Sequence, residues 1–255
     1  PDSLSLKKEK PVEPAPPPPP PNLIYGQEIF KNNSIAVYQK TEELVAPDTY
    51  VLGTGDKIGV IGFGRSQFEQ VLEINADGFV LLGNNLPKIL LKGVRLGDAK
   101  ELLFQRYSQY YLISRSEFQA TLNKARSMTV NVFGEAKTTG SFTLSGINTA
   151  FNVISAAGGP TEIGSVRRIK VIRGNQTIPL DVYQFMSDPG VAKDYFMQNN
   201  DYIHIPVAQK VVMIQGAVTR PMSYELLDNE NLLQLVKYAG GAKANAYLSS
   251  VQVTR

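Results

Sequence analysis

One histidine, no cysteine and scattered acids set the chemical ceiling of this 255-residue chain. His204 sits in "DYIHIP", where strand alternation sets it opposite Ile203 and Ile205. No HExxH pair or nucleophile elbow accompanies it, so a structural or solvent-facing role is expected. The adjacent acids Glu42 and Glu43 read as a solvated charge pair, not as a general acid and base. No GxSxG, Walker or DxD pattern occurs. The lack of cysteine removes disulfides, thiolate metal sites and cysteine nucleophiles together, while leaving the compartment open. No catalytic, cofactor-binding or metal-ligating residue is assigned, no cofactor is expected, and the ligand-binding residues stay unknown.

Two glycine-rich stretches invite a nucleotide reading. In "GTGDKIGVIGFG", Gly53, Gly55, Gly59, Gly62 and Gly64 lead into a strand-like segment. A dinucleotide site needs its glycines to open a helix, so that free amides face the pyrophosphate. "AAGGP" at 156–160 fails in the opposite sense: it closes a helix, where the dipole repels phosphate. Both stretches are read as turns. The basic group Arg167, Arg168, Lys170 and Arg173 suits an acidic polymer or a lipid head group, but also a solvated strand face. The solvated face is preferred, because a repeat described below replaces all but the last charge. Tyrosine stacks on sugars, yet the absence of tryptophan weakens the case for a carbohydrate platform.

Composition sets the frame for these residues. Net charge is only +3, so no whole-protein field points to nucleic acid. No apolar run approaches the ~18 residues of a membrane-spanning helix. The chain opens "PDSLSLKKEK", without an initiating methionine or a signal-like core, and is expected to be a piece of a longer protein.

The elements follow from local pattern. Six prolines, Pro16 to Pro21, allow only polyproline II, which suits a spacer. Residues 22–48 have mixed periodicity and remain unassigned. "GTGD" is a turn between two extended apolar runs, and Asn75-Ala76-Asp77-Gly78 is a hairpin turn. "LGDAKELLFQRYSQYY" predicts a helix with Ala99, Leu102, Leu103, Tyr107 and Tyr110 on one face and Asp98 in its first turn. Phe118 to Leu122 is a short returning strand, and the α+β unit so formed ends near Ala125.

A repeat begins just after. Gly134 recurs as Gly216, an offset of 82 residues, and the same offset carries Leu144 to Leu226 and Ala157-Gly158-Gly159 to Ala239-Gly240-Gly241. That period fits a duplicated small domain. In the first copy Thr149 caps a helix with the face Ala150, Val153, Ile154 and Ala157. In the second, Asn231 caps one with the face Leu232, Leu235, Val236 and Ala239. "RIKVIR" alternates Ile169 and Val171 against Arg168 and Lys170, "RGNQT" is a hairpin turn, and "DYIHIP" closes the unit. A helix wrapped by four or five strands in this order is a β-grasp arrangement. The second copy has its hairpin, helix and one returning strand ("SVQVTR"), and is expected to be incomplete, with an open sheet edge. The fold class is α+β, divided as 1–47 leader, 48–125 first domain, 128–207 first repeat and 210–255 second repeat.

These motifs carry a family likeness. "YVLGTGDKIGVIGFG", "INADGFVLL" and "LKGVRLGDAKELL" resemble the N-terminal domain of bacterial polysaccharide export proteins, with Thr54 where proline is common. The two repeats resemble the soluble-ligand-binding β-grasp (SLBB) domain of the same proteins, and the ordered set spans about residues 50 to 255. The leader and spacing look most like the longer, multi-repeat members. The resemblance implies a non-enzymatic, passive conduit for capsule or exopolysaccharide at the periplasmic face of the outer membrane of a Gram-negative bacterium. It implies three partners: the exported polysaccharide, further copies of the chain in a ring homo-oligomer, and an inner-membrane chain-length regulator or copolymerase. Membrane attachment would lie in segments outside these residues, and no nucleic acid is implied. The alternative reading is a soluble ligand- or glycan-binding β-grasp module with no transport role.

Overall fold

A computed structural model describes residues 23–31, 35–36, 46–83, 86–247 and 252–254 of the chain. The proline run, Glu42 and Glu43 lie outside the described residues. The architecture is α+β, with short helices laid against small sheets.

The first unit grows from the turn at Gly53–Asp56. Asp56 is buried and its carboxylate accepts from Gly53 N (2.7 Å) and from the Tyr50 hydroxyl (2.9 Å), which closes the turn. Strand β1 (Lys57–Gly62) follows and buries Ile58 and Val60 in alternation. It runs between β2 (Phe68–Glu73) and β5 (Phe118–Lys124), antiparallel to both. Between these come β3 (Phe79–Val80), β4 (Ile89–Leu90) and helix α1 (Leu96–Tyr107).

Asn75–Gly78 does form the expected turn, with Gly78 N donating to Asn75 O and φ at 92°. It does not, however, join two paired strands. Ile74 exchanges hydrogen bonds with Gly55 and Asp56, while β3 pairs with β4. The turn is a corner between two sheets. The α1 face also differs from expectation. Leu96, Ala99, Leu103 and Tyr107 are buried, but Leu102 is 41% and Tyr110 56% exposed. Only the narrow stripe of Leu96, Ala99, Leu103 and Tyr107 is covered, and the helix ends before Tyr110.

The first repeat contains β6 (Ser127–Gly134), β7 (Gly140–Ser145), α2 (Ala150–Ala156), β8 (Ile169–Arg173), β9 (Gln176–Leu180), α3 (Val182–Ser187) and β10 (Tyr202–Ile205). Its sheet has the order β7-β6-β10-β8-β9, with β10 parallel to β6 and antiparallel to β8. The last strand of this repeat thus enters the middle of the sheet. Parallel entry beside β6 needs a long crossover, which α2 and the β8–β9 hairpin supply. Thr149 caps α2 in a box with Asn152, whose Oδ1 accepts from Thr149 N at 2.7 Å. Ala150, Val153, Ile154 and Ala157 are buried as expected, and so is Phe151, which stacks on Phe185 at 4.1 Å.

The second repeat contains β11 (Val211–Ile214), β12 (Met222–Glu225) and α4 (Leu232–Tyr238). The duplication is visible bond by bond. Gly159 N donates to Ile154 O, and Gly241 N to Val236 O, both at 2.9 Å with φ at 84°. Thr138 N donates to Ala157 O as Arg220 N does to Ala239 O. Asn231 caps α4 through Leu233 N and Gln234 N.

The α4 face is only partly covered. Leu235 and Ala239 are buried, but Leu232 is 53% exposed, as is its neighbour Leu233 at 65%. Phe185 and Tyr195 cover the equivalent Phe151 in the first repeat. No counterpart to them occurs among the described residues of the second. Of the expected strand "SVQVTR", residues 252–254 are not in a strand, and the rest lies outside the described residues.

The unassigned leader supplies a surprise. Ile24 makes a parallel bridge to Ser223 on β12, with Tyr25 N donating to Ser223 O at 2.8 Å. Gln27 is buried and its Nε2 donates to the carbonyls of Thr161 and Gly164. Phe30 lies on Gly159 so closely that a Cβ there would come within 2.6 Å of it. Residues 24–30 are therefore a strap wedged between the two repeats.

Candidate functional site

The seam between the repeats is built around one buried carboxylate. Glu225, at the end of β12, is fully buried. It accepts from Ser165 Oγ (2.7 Å), Val166 N (2.8 Å) and Arg167 N (3.1 Å) of the first repeat. Three successive donors curl around the charge, which offsets its desolvation. Arg167 answers from the other side. Its Nε and Nη2 grip Asp181 at 2.9–3.2 Å, while Nη1 reaches Glu230 and the carbonyl of Glu225. The guanidinium also lies over the rings of Tyr183 (4.5 Å) and Tyr238 (5.1 Å).

Titration behaviour follows from this packing. Burial works against the Arg167 charge, but hydrogen bonds to Asp181 and Glu230 outweigh it and hold its pKa above the ordinary arginine value. Burial likewise pushes Glu230 up, yet the bonds from Arg167, Tyr238 and Leu227 N hold its carboxyl below the usual range. The Tyr183 hydroxyl is pushed up by burial.

Above the network opens a cleft of about 650 Å³, walled by Tyr25, Tyr183, Tyr238, Arg167, Arg220 and Lys237. Arg220 lies over the Tyr25 ring at 5.1 Å and donates to Tyr238 O. Aromatic walls with a few fixed polar groups suit binding.

The residues singled out from sequence scatter. His204 sits on β10, half-exposed, and stacks on Phe133 at 4.7 Å; this is the structural role expected. The glycine-rich stretches are turns and strand, as read: Gly55 and Gly64 have positive φ, while Gly59 and Gly62 lie within β1. The basic group is corrected. Arg167 is buried in the seam, Arg168 pairs with Asp228 of the second repeat at 2.8 Å, and Arg173 grips Asp201. Only Lys170 is the solvated side chain expected of all four. Carboxylates distant in sequence were invisible to a strand-periodicity argument. A signal did exist: Arg167 answers to Ser249 and Glu225 to Thr143 in the other copy. At these two positions the twin domains differ in charge, and there they meet each other.

Comparison with known proteins adds to this geometry. A family model described as the SLBB domain matches residues 129–181 and again residues 211–255. The chain carries SLBB repeats. The two SLBB matches start at equivalent points of the duplication, Thr129 and Val211, each at the first strand of its copy. Two curated proteins, both described as the polysialic acid transport protein KpsD of Escherichia coli, are 26% identical over 185 residues. The aligned part is 72% of this chain, which spans 32% of the length of those relatives. Both findings support the polysaccharide export family with SLBB repeats, as the sequence motifs implied.

Proposed function

We infer that this chain is the periplasmic part of an outer-membrane polysaccharide exporter, a passive conduit for capsule or exopolysaccharide and not an enzyme. Residues 48–125 act as the export-type domain, 128–207 as the first SLBB domain and 210–255 as the second, incomplete within these residues. The strand order β7-β6-β10-β8-β9, with a parallel pair at its centre, supports the β-grasp reading of the first repeat. The observation that carries the reading is the seam. Hydrogen bonds of Glu225, Arg167 and the leader strap tie the two repeats together, which supports their acting as one piece behind the 48–125 unit. A rigid tandem suits stacked layers of a wall better than a mobile binding arm. Its similarity to transport proteins points the same way.

In this reading the full protein forms rings, contacts the outer membrane through other segments, and meets an inner-membrane chain-length regulator. Deleting the gene should abolish surface polysaccharide, and the full-length protein in membranes should appear as rings by electron microscopy. Undiminished polysaccharide together with a monomeric full-length protein would refute it. The tyrosine-walled cleft favours a second reading, a glycan-binding module. That reading requires saturable binding of an oligosaccharide by the monomer, with transport intact in the deletion strain.

A further inference from the structure

A second cleft, of about 240 Å³, lies where the first unit meets the first repeat, and its walls include three arginines, Arg95, Arg126 and Arg173. Phe196 and Gln198 complete much of the lining, and no acidic residue belongs to it. Tyr50 and Phe196 meet edge to face beside it, at 5.7 Å.

Each guanidinium has donors to spare. Arg126 spends Nη1 on the Tyr50 hydroxyl, Val51 O and Asp56 Oδ2 (2.8 Å), and its main-chain N–H on Asp56 Oδ1. Its Nε and Nη2 have no partner among the described residues and are not sealed from solvent. Gly53 lets the guanidinium lie flat; a Cβ there would stand 2.7 Å from Arg126 Cζ. Arg173 spends Nε and Nη2 on Asp201 and Phe196 O, which leaves Nη1 open. Arg95 is exposed and its side chain has no hydrogen bond or ion pair among the described residues. Asp56 and Asp201 are buried behind two of the arginines and answer two charges, so one positive charge remains.

We propose that this junction cleft is an oxyanion site, taking a carboxylate or phosphate-type group between Arg95, Arg126 and Arg173. Planar guanidinium forks match such groups in a bidentate manner. Two of the three are held rigid by buried carboxylates, so little ordering entropy opposes binding. A walled cleft also screens the charges less than open surface does. The site is separate from the cleft between the repeats and stands whether or not the chain serves export. An acidic sugar and free inorganic phosphate share the required chemistry.

The test is a titration of the arginine Nε–H NMR signals of the whole chain with glucuronate, inorganic phosphate and neutral glucose, at constant ionic strength set by chloride. Expected are saturable shifts at Arg126 and Arg173 with at least one anion and none with glucose. Arg95→Gln should weaken binding about ten-fold or more, and Arg95→Lys less, since it keeps charge and loses the fork. Saturation by glucuronate alone identifies the acidic sugar as the source, by phosphate alone the free ion, and by both an oxyanion site without preference. Arg95 serves the fold through its main chain, bridging Val51 and accepting from Ala99 N, and its side chain has no hydrogen bond or ion pair among the described residues for these substitutions to break; an unchanged melting temperature checks this. Should Arg95→Gln nevertheless unfold, Gln198→Leu in the same wall replaces it and should also weaken binding. Shifts that merely track ionic strength, or binding indifferent to both variants, would overturn the proposal.

Discussion

Arg167 and Glu225 bind each other twice over across the seam: the Glu225 carboxylate accepts the Arg167 main-chain N–H at 3.1 Å, while Arg167 Nη1 donates to the Glu225 carbonyl at 3.3 Å. Side chain meets main chain in both directions, so neither repeat can slide without breaking both contacts. Glu225→Ala strands the buried Ser165 hydroxyl and Val166 N–H, leaves Arg167 N–H only its Ser165 Oγ acceptor, and is expected to cost about 3–5 kcal/mol. Glu225→Gln, which keeps one acceptor, should cost less. Urea unfolding of both variants reads this directly, and equal losses would show that a neutral acceptor gives no rescue and that the prediction for Gln is wrong.

The neighbouring pair behaves differently. Arg168 and Asp228 also cross the seam, but Asp228 stands almost wholly in water. Solvent and salt screen such a pair. Asp228→Asn should leave the unfolding midpoint where it is, whereas Asp181→Asn, facing buried Arg167, should lower it by several degrees.

Two equivalent glycines offer an internal control. Gly159 and Gly241 share φ at 84°, yet Phe30 crowds Gly159 and no atom lies within 4 Å of a Cβ at Gly241. Gly241→Ala should cost only the left-handed backbone penalty, about 1–2 kcal/mol. Gly159→Ala adds displacement of the leader strap, so it should unfold at lower denaturant and expose the leader to protease. Identical behaviour of the two would remove the strap from the account.

Acid should loosen the seam through Glu230. A carboxyl held below its unfolded pKa of about 4.3 adds stability above that value and loses it as pH falls through the folded one. Stability should therefore decline more steeply below about pH 4 in the wild type than in Glu230→Gln. Melting temperatures of both proteins between pH 3 and 7 would decide it, parallel curves being the contrary result.

Local chemistry was legible in the linear chain. Thr149 and Asn231 announce helix starts, the paired glycines after Ala157 and Ala239 announce the ends, and alternation in "RIKVIR" announces a strand, because each depends on neighbours within a few residues. The 82-residue duplication then follows by comparison of the chain with itself. Tertiary structure alone decided what those elements touch. Gln27 finds its carbonyl partners more than 130 residues away, and Arg167 finds Glu230 63 residues away. Leu232 occupies the inward position of its helix and still faces solvent, for want of a covering element among the described residues. Periodicity reports which side of an element is apolar; it carries no information on which partner arrives there, since that depends on contacts between segments whose separation in sequence has no bearing on their separation in space.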